Sequence, residues 1–330
     1  MHPTCSYLCR MKFRTEIEIE PFPPEARIGY GNRMLAVGSC FAEEMTARLR
    51  RLGFACTVNP SGVLFNPASV AAALRSYDAD EPVGREELHE QDGLRFHFGF
   101  HSSFAAADAD EALARMNAAR RAGAEALRKA DRVLVTFGTA WVYEREGRIV
   151  ANCHRRPASE FVRRRLSVGE IVADYDELLH TTLAGKQVLL TVSPVRHTAD
   201  GLTGNCASKA VLRLAAEELA GRHDRIRYFP AYEILTDDLR DYRFYADDLV
   251  HPSAQAAEYV WEKFSEAVLD RRARQIVPAA ARIAAAAAHR PQNPRSEAFR
   301  AFCLRQIAAI AALPEADFSE ERAYFEQYLQ

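Results

Sequence analysis

The chain of 330 residues lacks a long apolar run, a paired-cysteine motif and any marked excess of one charge. No stretch approaches the roughly 20 consecutive apolar residues that a membrane helix needs. The N-terminal "MHPTCSYLCRMKFRTEIEIEPFPP" also lacks the continuous apolar segment of a secretory signal. Seven cysteines are odd in number and scattered, without a CxxC pair, which fits reduced thiols better than a disulfide framework and offers no zinc spacing. With 43 Lys and Arg against 45 Asp and Glu, the net charge of −2 carries no basic footprint of the kind that nucleic-acid binding leaves. The expectation is a cytoplasmic protein with no membrane span, no nucleic-acid partner, no metal and no cofactor. Arg155, Arg156 and the run Arg163 to Arg165 are local cationic exceptions, of a length that usually means solvated surface.

What is present is an alternation of short apolar runs with helical patterns. In "RMLAVGSCFAEEM", Met34 to Val37 are too few for a helix and suit a buried parallel strand. After them Phe41, Met45, Leu49 and Leu52 recur at helical spacing. "RVLVTF" from Arg132 and "QVLLTVSP" from Gln187 are the clearest further strands, and "FACTVN" and "IRYFP" are two more. "KFRTEIEIE" from Lys12 reads as an additional early strand, "WVYEREGRIVANC" as a hairpin, and "GLRFHFGFHSSF" from Gly93 as an extended excursion. Helices are expected at Pro67–Tyr77, Asp110–Lys129, Ser167–Leu183, Ala207–Leu219, from Pro252 onward and at Glu297–Leu313. Strands alternating with helices predict an α/β protein whose parallel sheet is covered on both faces. Residues 1–11 read as a leader, 12–270 as the α/β domain and 271–330 as a C-terminal helical appendage.

The ends of the strands carry the residues of interest, because ligands of open α/β sheets bind there. Ser39 and Cys40 fall between the first strand and a helix N-terminus, where unpaired N–H groups gather. In "FYADDLVHPS", Asp248 and His251 stand three apart, so the carboxylate can hold one imidazole nitrogen and leave the other free. A hydroxyl at Ser39 then supplies a nucleophile and makes Ser39, Asp248 and His251 the expected catalytic set. Cys40 is the rival, since a thiol at a helix N-terminus is more reactive than a hydroxyl. His97 and His101 lie in an extended stretch and offer no metal site.

"VGSCFAEEM", "NPSGVLFNP", "FGTAWVYE", "VANCHRRP", "TVSPVRH", "NCASKAVLR" and "FYADDLVHPS" together resemble the successive blocks of the GSCFA family, which is itself similar to the SGNH or GDSL-type hydrolases. The resemblance implies a three-layer α/β/α, flavodoxin-like sandwich and a serine esterase acting on an O-acyl ester, with a short acyl group such as acetyl on a small-molecule or glycan alcohol. An O-acyltransferase with a sugar or lipid-precursor acceptor is the alternative, and a non-catalytic binding module of the same fold is the second. Carried over by position, Ser39 matches the nucleophile and Gly62 the second-block glycine, whose N–H joins that of Ser39 in the oxyanion hole. The third block departs: Gly138, Thr139, Ala140 and Trp141 stand where those hydrolases have Gly-x-Asn. Thr139 and Asn152 are the expected substitutes for that donor, with Asn66 and His154 behind them. Cys40, Asn59, Asn66, Trp141, His154, Arg196 and His197 are the expected substrate contacts.

Overall fold

The computed structural model describes residues 16–329. The strands are β1 (Met34–Gly38), β2 (Cys56–Val58), β3 (His89–Gln91), β4 (Leu94–Phe96), β5 (Arg132–Phe137), β6 (Trp141–Arg145), β7 (Arg148–Val150), β8 (Val162–Arg165), β9 (Gln187–Val192) and β10 (Ile226–Phe229). The helices are α1 (Cys40–Arg51), α2 (Pro67–Ala79), α3 (Ala109–Lys129), α4 (Val168–His180), α5 (Gly201–Arg222), the single turn α6 (Ala231–Glu233), α7 (Ala254–Val268), α8 (Arg271–Ala288), α9 (Glu297–Ala311) and α10 (Ser319–Glu326).

Five strands form the central sheet in the order β2-β1-β5-β9-β10, every neighbouring pair parallel. Counted along the chain within that sheet, the order is 2-1-3-4-5, the doubly wound arrangement in which strand order reverses between β1 and β5. Alternate side chains go to opposite faces. Leu35, Val37, Val133, Val135, Val188 and Leu190 pack with Val70, Leu74, Tyr175, Leu212 and Leu219 from α2, α4 and α5. Met34, Ala36, Leu134 and Leu189 pack with Phe41, Met45 and Leu49 of α1 and Val260, Trp261 and Phe264 of α7. Burial on both faces explains the near-continuous apolar runs of β1, β5 and β9.

Helix starts follow ordinary capping chemistry. Asn66 accepts the Ser69 N–H in front of Pro67, and Ser167 and Glu170 form a reciprocal capping box at α4. The C-terminal helices share a core with the sheet: Ile276, Ile283, Cys303, Ile310, Phe318 and Phe325 join the cluster that holds α1. The Asp317 N–H reaches the Gly53 carbonyl at 2.9 Å, and Gly53 has φ +82° with Ala316 packed so close that a Cβ there would crowd it.

Several elements differ from the sequence reading. Residues 16–20 form no strand, and the rest of the stretch from Lys12, like the leader, lies outside the described residues. The arginine run is the strand β8, antiparallel to β6, and it escapes notice because it has no apolar alternation. Its arginines are engaged by neighbours: Arg163 with Asp200 and over the Tyr143 ring at 4.3 Å, Arg164 with Glu144 and Glu170, and Arg165 over the Trp141 ring. Helix α5 begins at Gly201, six residues before the expected start, and α10 follows the last expected helix.

Candidate functional site

The site lies beyond the C-terminal ends of β1, β5 and β9. Gly38 ends β1 with φ +146°, and a Cβ there would collide with the Thr136 backbone, so only glycine lets the chain leave the sheet against β5. Ser39 follows with extended backbone and occupies the N-cap position of α1, yet its side chain caps nothing. Its hydroxyl is buried and has no hydrogen-bond partner, while its N–H donates to the Thr136 carbonyl. Cys40 is the first residue of the helix, and its Sγ lies 3.8 Å from His251 Nε2.

His251 stands between that sulfur and a carboxylate. Its Nδ1 is 2.6 Å from Asp248 Oδ2, and Asp248 Oδ1 accepts the N–H groups of His251 and Val250 at 2.9 Å each. The His251 N–H, the imidazole and the Val250 N–H hold the Asp248 carboxyl down to about 2, so it stays ionised at any ordinary pH. With Nδ1 donating to a carboxylate, Nε2 offers its lone pair to the cysteine. The loop that carries the pair is fastened by Arg196, whose N–H donates to the Val250 carbonyl and whose guanidinium donates to the Leu249 carbonyl at 3.0 Å. That guanidinium also stacks 3.9 Å over Tyr245, next to Leu249 in a left-handed conformation at φ +56°.

A cleft of about 390 Å³ opens at the cysteine, lined by Phe41, Val195, Pro252, Ala254 and Ala257, with Arg48 and Glu44 farther along α1. Arg48 is held by Glu44 and Glu258. Burial pushes the Cys40 thiol up and the Glu43 carboxylate adds to it, while the Cys40 and Phe41 N–H groups and the Lys209 charge pull it down. Burial wins, so the resting sulfur is a thiol.

Of the expected oxyanion donors, the N–H groups of Gly62 and Ser39 and the Thr139 hydroxyl have partners within the protein. The Gly62 N–H donates to the Asn59 carbonyl and the Ser39 N–H to Thr136. The Thr139 hydroxyl is 3.1 Å from that of Ser208 and accepts the Trp141 N–H, and the Asn152 carboxamide oxygen accepts the His154 N–H. The Ser39 and Gly62 N–H groups are thus turned to protein carbonyls, whereas the bond at Asn152 uses its oxygen and not its N–H donors. The first N–H groups of α1, at Cys40 and Phe41, are those that act on the sulfur and lower its pKa.

Of the expected substrate contacts, Cys40 lines the cleft. Asn59 braces the end of β1 instead, accepting the Gly38 N–H and donating to Glu43. Asn66 is the cap of α2. Trp141 donates its indole N–H to the Gly204 carbonyl, and the His197 imidazole lies 3.5 Å from Asp200. His154 packs against the excursion from Gly93, stacked 4.2 Å from Phe96, where burial holds its imidazole down to about 4. Arg196 acts on the histidine loop, as described. Ser39 and His251 are not brought together by any hydrogen bond; Cys40 and His251 are.

Sequence reasoning missed Lys209. It is 1% exposed, and its Nζ donates to the carbonyls of Gly138 and Ser193, each at 2.7 Å. Its signal was a lysine within the buried stripe Asn205, Ser208, Leu212, Ala215, Ala216 and Leu219 of α5.

Among the described residues no three His, Cys, Asp or Glu side chains are grouped to hold a metal ion, the five cysteines are free, and no helix is long and apolar enough to cross a membrane. The model of the GSCFA family matches residues 33–264, and that of the GSCFA domain protein, C-terminal domain, matches residues 280–330. No curated protein and no solved structure matches the chain.

Proposed function

The chain belongs to the GSCFA family, and from that premise we propose that it cleaves or transfers acyl groups through a thioester on Cys40, with His251 as base and Asp248 as the carboxylate that orients it. One observation carries the reading: the unbroken line from the Cys40 sulfur through both imidazole nitrogens to an ionised Asp248. The reading puts the neighbouring sulfur in the place of the Ser39 hydroxyl and keeps the other two members of the expected triad.

In this reading the thiol proton passes to His251 Nε2 as the sulfur attacks an ester carbonyl carbon. The carbonyl oxygen takes the electron pair and faces the Cys40 and Phe41 N–H groups, where the dipole of α1 adds its positive end. His251 then returns the proton to the departing alcohol oxygen, leaving an acyl-cysteine. Water gives hydrolysis, and an acceptor hydroxyl gives transfer; in both, His251 takes the incoming proton and the sulfur regains one. The apolar wall of Phe41, Val195, Pro252 and Ala257 supports a substrate with a short apolar acyl part.

The unpartnered Ser39 hydroxyl favours a second reading, in which it is the nucleophile, and its burial at 1% exposure speaks against it. Peptide mapping after iodoacetamide or a fluorophosphonate, paired with hydrolysis of p-nitrophenyl acetate, separates the two. We expect alkylation at Cys40 that His251→Ala slows, and hydrolysis that survives Ser39→Ala and disappears in Cys40→Ala. Fluorophosphonate labelling of Ser39 with an active Cys40→Ala protein would reverse the assignment.

A further inference from the structure

The cleft at Cys40 has two unlike ends. One is the apolar wall of Phe41, Val195, Pro252 and Ala257. The other begins about 6 Å along α1, one helical turn from Cys40, where Glu44 and then Arg48 line the cleft. Arg48 is engaged there by Glu44 and by Glu258 of α7. An alcohol rich in hydroxyl groups suits that ionic end, and a lengthening hydrocarbon chain does not, because it would strip water from charged groups and offer them no partner.

Behind the apolar end the interior is not filled. A void of about 20 Å³ lies between α1, α7 and the sheet, lined by Ala36, Met45, Leu134, Leu189, Phe229 and Phe264. Small side chains from two layers border it, Ala36 of β1 and Ala42 of α1, in an interior that is ordinarily close-packed. The Thr46 and Thr191 hydroxyls at its edge donate to the Ala42 and Phe229 carbonyls, so neither needs a partner in the void. Phe41 is common to the linings of the cleft and the void, and it is 3% exposed. Consecutive helical residues point about 100° apart. The Cys40 sulfur therefore turns to His251 while Phe41 enters the buried cluster and forms the partition between the two spaces.

We infer that Phe41 sets the length of the acyl group: it closes the apolar end of the cleft, so the sulfur takes a short straight chain, acetyl to butyryl, and the alcohol part lies toward Glu44 and Arg48. The inference rests on the reading of Cys40 as the reactive group and adds the residue that selects its substrate. Without the aromatic ring, cleft and void become one apolar channel past Ala36, Leu134 and Leu189, which come from β1, β5 and β9.

The test loads chains of increasing length onto the sulfur without any turnover. Linear alkyl methanethiosulfonates, ethyl to octyl, convert a thiol to its alkyl disulfide and release methanesulfinate. Peptide mass mapping of initial rates reads Cys40 against the exposed Cys206 of the same molecule, which cancels the intrinsic reactivity of each reagent. In the wild type the Cys40/Cys206 ratio should fall about tenfold or more from ethyl to octyl, the order expected when two or three methylenes, about fourfold each, find no apolar wall. Phe41→Ala should restore most of that loss. Phe41→Leu, which keeps a side chain in the core, should restore part of it and carries the test if Phe41→Ala does not fold. A wild-type ratio that does not fall with length overturns the inference, and so does an octyl ratio that stays at the wild-type value in a Phe41 variant with a cooperative melt. Length selection at Cys40 in a protein that cleaves no p-nitrophenyl ester would defeat the proposed reaction and keep the Phe41 gate, whereas a Cys40-dependent esterase with a flat length profile would defeat the gate alone.

Discussion

β1 and β5 lie side by side, and their ends are finished in opposite ways. Beyond β5, the Gly138 and Thr139 N–H groups both donate to the Phe65 carbonyl, the Gly138 carbonyl takes Lys209, and Thr139 and the Ala140 N–H share the Ser208 hydroxyl. Beyond β1, the Ser39 hydroxyl has no partner, no side chain caps α1, and a thiol faces an imidazole. Local consistency is what folds a chain, and the places that break it are where function is sought. The closed corner therefore reads as a frame, and the open one as the candidate site.

The largest expected effect belongs to the open corner. Cys40→Ala should remove esterase activity down to background in a protein with an unchanged melting curve, and His251→Ala should lower turnover by about 10²–10⁴-fold. A closed corner that matters to stability instead predicts the reverse pattern for Thr139→Val. That change strips a partner from Ser208 and from the Trp141 N–H, and should cost about 1–3 kcal/mol in a denaturant titration while leaving the alkylation midpoint of Cys40 in place. Loss of activity without loss of stability in Thr139→Val would erase the distinction between the two ends.

Arg196→Ala tests the fastening of the histidine loop. It removes a hydrogen bond to Leu249 and a ring contact with Tyr245, together about 1–2 kcal/mol, and should slow Cys40 alkylation less than His251→Ala does. The smallest effect is expected of Ser39→Ala. It deletes an unpartnered buried hydroxyl, so stability should hold or rise by up to about 1 kcal/mol, and hydrolysis should persist. The pH dependence follows from the sign of the cysteine shift. Burial raises the thiol above its ordinary range, so alkylation should still be climbing at a pH where a free thiol has levelled.

The sheet was readable because burial on both faces writes itself as apolar runs: "RVLVTF" and the start of "QVLLTVSP" became β5 and β9 without adjustment. β8 was not readable, since arginines in it are carried by pairing with β6 and by aromatic rings that only the fold supplies. At the site, the three-residue interval brought Asp248 to His251 as the spacing demanded. Which of two consecutive residues turns toward that histidine depends on the left-handed φ of Gly38 and the extended backbone of Ser39, and a sequence does not display either angle. The partners chosen by the N–H groups of Gly62 and Ser39 were hidden for the same reason. Lys209 was visible in principle, as a charge on the wrong side of an amphipathic helix.

The sharing of one core between β1, α1 and the last helices has a consequence for synthesis. Phe318 and Phe325 are fully covered in the cluster that also contains Met34, Met45 and Leu49, so a ribosome must reach at least residue 325 before that layer can close. Until then the α1 side of the sheet stays uncovered and adhesive, while the layer built from α2 to α5 is complete once β10 has emerged. A stop codon before residue 318 should thus yield a chain with Cys40, Asp248 and His251 all present and its underside open, a natural client for holding chaperones.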